Sequence, residues 1–208
     1  MSTARFSVFF ALLALACWCA TITVVAMVLA DRFRRDRTTV SLLAEVSRLA
    51  LWLAWLVALV TTLGSLYFSE IAHFTPCKLC WYQRIAMYPF AIVLLVAALR
   101  RDRGVAWYVV PVATIGAMFA TYQAQLQAFP HQHSSFCTLT EPCTVRYVWE
   151  FGFVSLPFMA LSAFVFIITM TLLATRANHS GSNREQTTAT GTTVTSTSAP
   201  FESEPANR

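Results

Sequence analysis

PCKLCWYQRIAMYPFAIVLLVAAL, residues 76–99, decides what kind of molecule this is. Its second part, residues 81–99, is 19 residues long and carries one charge, Arg84, near its start. At 1.5 Å of rise per residue, about 20 apolar residues cross a ~30 Å hydrocarbon core, so the stretch predicts a transmembrane helix. Its first part sets Cys77 and Cys80 three apart at the mouth of that helix, with Arg84 four residues beyond Cys80. On a helix beginning near Cys80, this spacing brings the guanidinium onto the face of the Cys80 sulfur. A thiolate there would be stabilised by the helix N-terminus and by the fixed cation. The residues suit a reactive dithiol at a membrane boundary. Taken alone, a C-x-x-C pair serves equally as half of a zinc site or as a structural disulfide.

Outward from this stretch the chain stays apolar. Of 208 residues, 57% are hydrophobic and 12% charged, and mean hydropathy is +0.57, whereas ordinary soluble domains are roughly 25% charged. Residues 6–30, 49–68, 105–124 and 153–174 contain no charged side chain, so with 81–99 there are five candidate spans. The expected fold is an all-α membrane protein: a four-helix transmembrane bundle plus one extra N-terminal transmembrane helix. Residues 1–48 hold the extra span and an Arg-rich linker. Residues 49–175 form the bundle with two Cys-pair loops. Residues 176–208 form a Thr/Ser-rich tail with no apolar period, expected to be disordered. Pro89, Pro111 and Pro157 fall inside spans, where kinks rather than breaks are expected. Leu42, Leu43, Val46 and Leu49 recur at helical spacing and predict an extension of the second span.

Charge orients the bundle. Arg32, Arg34, Arg35, Arg37, Arg48, Arg100, Arg101, Arg103, Arg176, Arg184 and Arg208 fall on one side, eleven of the 15 basic residues. The positive-inside rule places them in the cytoplasm and both Cys-pair loops outside. The net charge of +5 does not point to nucleic acid, because the basic residues flank apolar spans. Residues 6–30 are long for the core of a cleaved signal peptide, and cleavage would invert the topology. An extra span with an external N-terminus is favoured, and a start at Met27 would leave the core topology unchanged. Cys17 and Cys19 sit mid-span and are expected to be buried and inert. Asn178-His179-Ser180 matches a glycosylation sequon but falls on the cytoplasmic side.

The second outer loop, residues 125–152, holds His131, His133, Cys137 and Cys143. Cys137 and Cys143 flank five residues, among them Pro142, and a disulfide in so short an exposed loop tends to be labile. Two dithiols on one surface are what a thiol–disulfide relay needs. One pair can meet a protein partner and the other an electron sink. The residue after Cys80 is Trp81, not the His of a haem signature, and six glycines give no dinucleotide-binding pattern. A bilayer quinone needs no dedicated domain. Arg84, an intramembrane cation, could donate to a quinone carbonyl, and Gln83 could add a donor. The plain alternative for Arg84 is snorkelling to the headgroups.

Cys77-x-x-Cys80-x-x-Gln83-Arg84, followed by Tyr88-Pro89, resembles the quinone-dependent thiol oxidases called disulfide bond formation protein B. The close Cys137 and Cys143 pair, followed by Trp149-Glu150-Phe151-Gly152-Phe153, is more similar to the short-looped C-type members. The resemblance covers residues 49–174. It implies that Cys77 and Cys80 form the quinone-facing disulfide, with Cys80 nearer the quinone (menaquinone or ubiquinone). It implies that Cys137 is attacked by a thioredoxin-fold dithiol oxidase (DsbA/BdbD-like), that Cys143 passes electrons to Cys77, and that Arg84 polarises the quinone. The short second pair departs from the B-type pattern, which puts the loop rearrangement of B-type members in doubt, and the first span is extra. One alternative is a zinc-binding membrane protein using Cys77, Cys80, His131, His133, Cys137 and Cys143. Another is a structural protein whose disulfides staple its loops. Vitamin K epoxide reductase-like proteins also combine a helical bundle with C-x-x-C, but there the reactive pair lies late in the chain.

Overall fold

The computed structural model describes residues 3–34, 37–102, 104–129, 143 and 146–194, and for 3–4, 34, 37–38 and 177–194 it describes the backbone alone. His131, His133 and Cys137 lie outside the described residues. Five helices account for nearly all of the described chain: α1 (Thr3–Arg34), α2 (Arg37–Leu66), α3 (Lys78–Arg100), α4 (Ala106–Ala128) and α5 (Leu156–Val194). A wider π-type turn, Tyr67–Ile71, prolongs α2. The preponderance of helix follows from the solvent, because hydrocarbon offers backbone groups no partners and a helix satisfies them internally.

Among the described residues, four segments are long and apolar enough to cross a membrane: Arg5–Phe33, Thr39–Ile71, Lys78–Arg100 and Leu156–Arg176. Helix α4 is as long as α3, at 23 residues, and it too runs the length of the bundle. Tyr108, near its start, shares a shallow groove with Val96 and Arg100 at the end of α3. Gln123, near its end, reaches the two cysteines where α3 begins. Helices α2 to α5 form the bundle, and α1 packs across α2 and α5. The molecule is an all-α membrane protein, as the sequence leads one to expect.

Close packing rests on small residues. Ala50, Ala54 and Ala58 recur every fourth position on α2 and are fully buried. Without a hydrophobic driving force between helices in lipid, such stripes let backbones approach and gain dispersion contact. Gly116 of α4 does the same for the buried Phe164 of α5: a Cβ added there would lie 2.4 Å from the ring. The Trp55 indole N–H donates to the Ala91 carbonyl at 3.0 Å, tying α2 to α3. Leu43 and Val46 pack against the core on the expected extension of α2.

Pro89 and Pro111 lie within continuous helices, and Pro157 falls in its span Leu156–Arg176 but at the start rather than in the interior. Helix α5 starts at Leu156, so Pro157 occupies its first turn, where no N–H is required. Glu150 and Val154, just before it, exchange backbone hydrogen bonds of 3.0 and 2.9 Å around a tight turn, with Phe151 and Gly152 at positive φ. The backbone of α5 continues as helix through Val194, into the Thr/Ser-rich stretch that lacks an apolar period. No proline falls between Pro157 and Pro200, and an established helix propagates more easily than it nucleates.

Contacts sort the loops between the two ends of the bundle. Ser7 of α1 donates to Glu150 at 2.7 Å, Phe6 stacks on Tyr67 at 4.3 Å, and Phe74 stacks on Tyr147 at 4.8 Å. The α2–α3 connection, the segment before α5 and the start of α1 therefore share one end. The ends of α1 and α3 and the start of α4 lie at the other, with Arg32, Arg100 and Arg101.

Candidate active site

The site begins where α2 loosens. Its i→i+4 register gives way to the π turn, and the freed carbonyls are taken by side chains. The Ser65 carbonyl accepts from the Ser69 hydroxyl at 3.3 Å and from Arg84 Nη2 at 3.2 Å. After a left-handed His73 (φ 54), Phe74 stacks on Phe68 and turns the chain into α3. Cys77 then stands extended at the N-cap of α3, and its sulfur accepts from the Cys80 N–H at 3.4 Å. A sulfur here fills the role usually given to a Ser or Asp oxygen.

That cap geometry brings the two free thiols together, with Cys77 Sγ and Cys80 Sγ 3.0 Å apart. A disulfide requires ~2.05 Å, so closing the bond needs a shift of about 1 Å. The hydrogen bond to Cys80, and then burial, hold the Cys77 thiol well above the ordinary cysteine range.

Gln123 of α4 completes the arrangement. Its Nε2 lies 3.3 Å from both sulfurs, and its Oε1 accepts from Gln83 Nε2 at 2.7 Å. Both glutamines are buried. The sequence reading raised Gln83 and passed over Gln123. The signal was available, since an amide inside an otherwise apolar span is costly unless it has partners. It was obscured because Gln123, Gln125 and Gln127 alternate near a helix end and resemble a fraying terminus.

Cys80, Gln83, Arg84 and Gln123 line one cavity of about 230 Å³. The rest of its wall is mostly apolar, with Val57, Val60, Met87 and Phe164 among its residues, alongside Thr61, Ser65, Tyr88 and Ser162. A few converging donors in an apolar chamber fit a planar, lipid-soluble ring bearing carbonyl oxygens. Arg84 is half-buried, donates to the Ser65 carbonyl and lies 5.4 Å from the Trp81 ring centre.

On the other side of the thiols lies Cys143. Cys143 is disulfide-bonded, almost fully buried, and packs in one cluster with Cys77, Leu79 and Leu126. Arg146 donates to the Gln127 carbonyl and lies 4.0 Å above the Trp149 ring, which pins the following segment to the end of α4. Cys143, Cys77, Cys80 and the cavity thus form a contiguous series. Of the α1 cysteines, Cys17 borders the cavity and Cys19 is exposed.

Comparison with known proteins agrees with this geometry. Residues 47–175 match the family model described as Disulfide bond formation protein DsbB. Disulfide bond formation protein C of Bacillus subtilis is 46% identical over 119 residues, 57% of this chain and 86% of that protein. A probable disulfide formation protein of Coxiella burnetii is 45% identical over 124 residues, 57% of this chain and 84% of its own length. A probable disulfide formation protein C of Halalkalibacterium halodurans is 44% identical over 124 residues, 59% of this chain and 90% of that protein. No solved structure matches the chain. With well over half of its length covered and a buried dithiol at the head of α3, the chain belongs to the disulfide bond formation protein DsbB family.

Proposed function

We propose that this membrane thiol oxidoreductase reoxidises an extracytoplasmic thioredoxin-fold dithiol oxidase (DsbA/BdbD-like) and delivers the electrons to a membrane quinone. The observation that carries the reading is the shared cavity of Cys80, Gln83, Arg84 and Gln123. It sets a redox-capable sulfur beside a cation and two amides in an apolar chamber. A quinone held there would supply a two-electron, two-proton acceptor.

The residues divide the work. A thiolate of the partner attacks Cys137 of a Cys137–Cys143 disulfide, forming a mixed disulfide and releasing Cys143 as thiolate. The partner's second thiol then resolves the mixed disulfide and leaves Cys137 reduced. Cys143, packed beside Cys77, attacks Cys77 of a Cys77–Cys80 disulfide and releases Cys80. Cys137 next attacks Cys143, restoring its own disulfide and leaving Cys77 and Cys80 reduced. The Cys77–Cys80 bond re-forms as the pair gives up two electrons and two protons into the cavity. Gln123 holds both sulfurs in register, and the Arg84 guanidinium favours negative charge developing nearby.

Positive charge supports the orientation. Arg32, Arg100 and Arg101 lie at the end away from the cysteines, and the positive-inside rule then favours thiols on the outer side. The test mixes the purified protein with a quinone and a reduced thioredoxin-like protein and follows quinone absorbance. One quinone should be reduced per partner disulfide formed, and both Cys77→Ser and Cys80→Ser should abolish this. Retained turnover in Cys80→Ser would sink the relay as drawn.

A further inference from the structure

Helix α1 lies outside the segment matched by the family, residues 47–175, and the relay leaves it without a role. We infer that α1 builds one wall of the acceptor cavity and so shapes which quinone the site takes. The inference rests on the quinone reading above.

Phe10, Leu13, Ala14 and Cys17 all line the cavity that holds Cys80 and Arg84. Their spacing is i, i+3, i+4 and i+7, a single helical face. The opposite face, with Phe9, Leu12, Cys19 and Ile22, is exposed. Contacts fix this orientation at several heights. Near the start of α1, Ser7 holds Glu150 and Phe6 stacks on Tyr67. One turn on, the Phe10 ring fills the notch at Gly64, where an added Cβ would lie 2.5 Å from it. Further along, Trp18 stacks on Phe158 of α5 at 6.2 Å. Gly64 adjoins Ser65, whose carbonyl holds Arg84, so Phe10 and Arg84 are separated by one backbone step of α2. The α1 face closes the groove between α2 and α5 over the cavity, and its side chains help set the chamber's volume.

Cys17 supplies the test. In the oxidised protein carrying Cys19→Ser, it is the remaining free thiol of α1, the other four cysteines being held as disulfides. Its alkylation by N-ethylmaleimide is measured with and without a fully substituted benzoquinone, which has no ring position open to thiol addition. At a quinone concentration ten times Kd, alkylation should slow about tenfold, as site occupancy requires. Cys19, measured in the Cys17→Ser protein, should be unaffected. In turnover assays, Leu13→Trp should raise the quinone KM about tenfold while mixed-disulfide formation with the partner is unchanged, and Leu12→Trp on the lipid face should do nothing. A wild-type protein that reduces quinone but leaves Cys17 unprotected, with Leu13→Trp equal to Leu12→Trp, overturns the role of α1 alone. A wild-type protein that reduces no quinone overturns the proposed function and this inference with it.

Discussion

One amide serving two sulfurs is an uncommon use of a glutamine. Gln123 meets both cysteines and Gln83 while almost fully buried. A hydrogen bond to a charged group contributes ~1.5–3 kcal/mol, roughly ten- to a hundredfold in rate. Gln123→Leu should therefore slow oxidation of the Cys77–Cys80 dithiol by at least about tenfold, read by stopped-flow alkylation after mixing with quinone. Gln123→Glu should be slower still, because a carboxylate opposes a neighbouring thiolate. A rate equal to wild type in both variants would reduce Gln123 to packing. Arg84→Ala should raise the quinone KM and leave the disulfides formed. Arg84→Lys should recover only part of the loss, since an ammonium cannot keep the Ser65 carbonyl and face the cavity with a planar fork. The C-x-x-C pair and Arg84 were legible in sequence because their spacing on one helix encodes proximity. Gln123 was not, because its proximity to them depends on how α4 packs against α3.

Among the elements, α2 shows what sequence periodicity leaves out. Its apolar length is plain in residues 49–68, and its extension back to Arg37 follows from the spacing of Leu42, Leu43, Val46 and Leu49. The π turn at Tyr67–Ile71 is not encoded by any single residue type there. It arises from stacking of Phe68 on Phe74 and from the Ser69 and Arg84 contacts that satisfy the loosened carbonyls. Glycine notches were also invisible, because a glycine in an apolar run says nothing of the ring it receives. Gly116→Ala should force Phe164 from its seat between α4 and α5 and cost about 1–3 kcal/mol by overpacking. Thermal unfolding in detergent should show a lowered midpoint, and Gly104→Ala, in the exposed α3–α4 turn, should not.

For the molecule as a whole, the all-α membrane class and the grouping of its loops could be read from five uncharged or nearly uncharged runs and the arginines between them. The point at which α5 stops could not, because a Thr/Ser-rich composition lacks a core-facing pattern whether or not it is helical. An impermeant maleimide added to reduced, intact cells should label Cys80 only from outside, and labelling only after lysis would reverse the proposed orientation. The thiols and their cavity gather at one end of the bundle, away from Arg32, Arg100 and Arg101. Charge transferred within that end crosses little of the low-dielectric slab, whereas carrying one elementary charge all the way across costs ~2.3 kcal/mol per 100 mV. Under the proposed relay, catalysis should therefore be scalar, neither consuming nor building transmembrane voltage, and turnover in vesicles should be unchanged when an ionophore collapses the gradient.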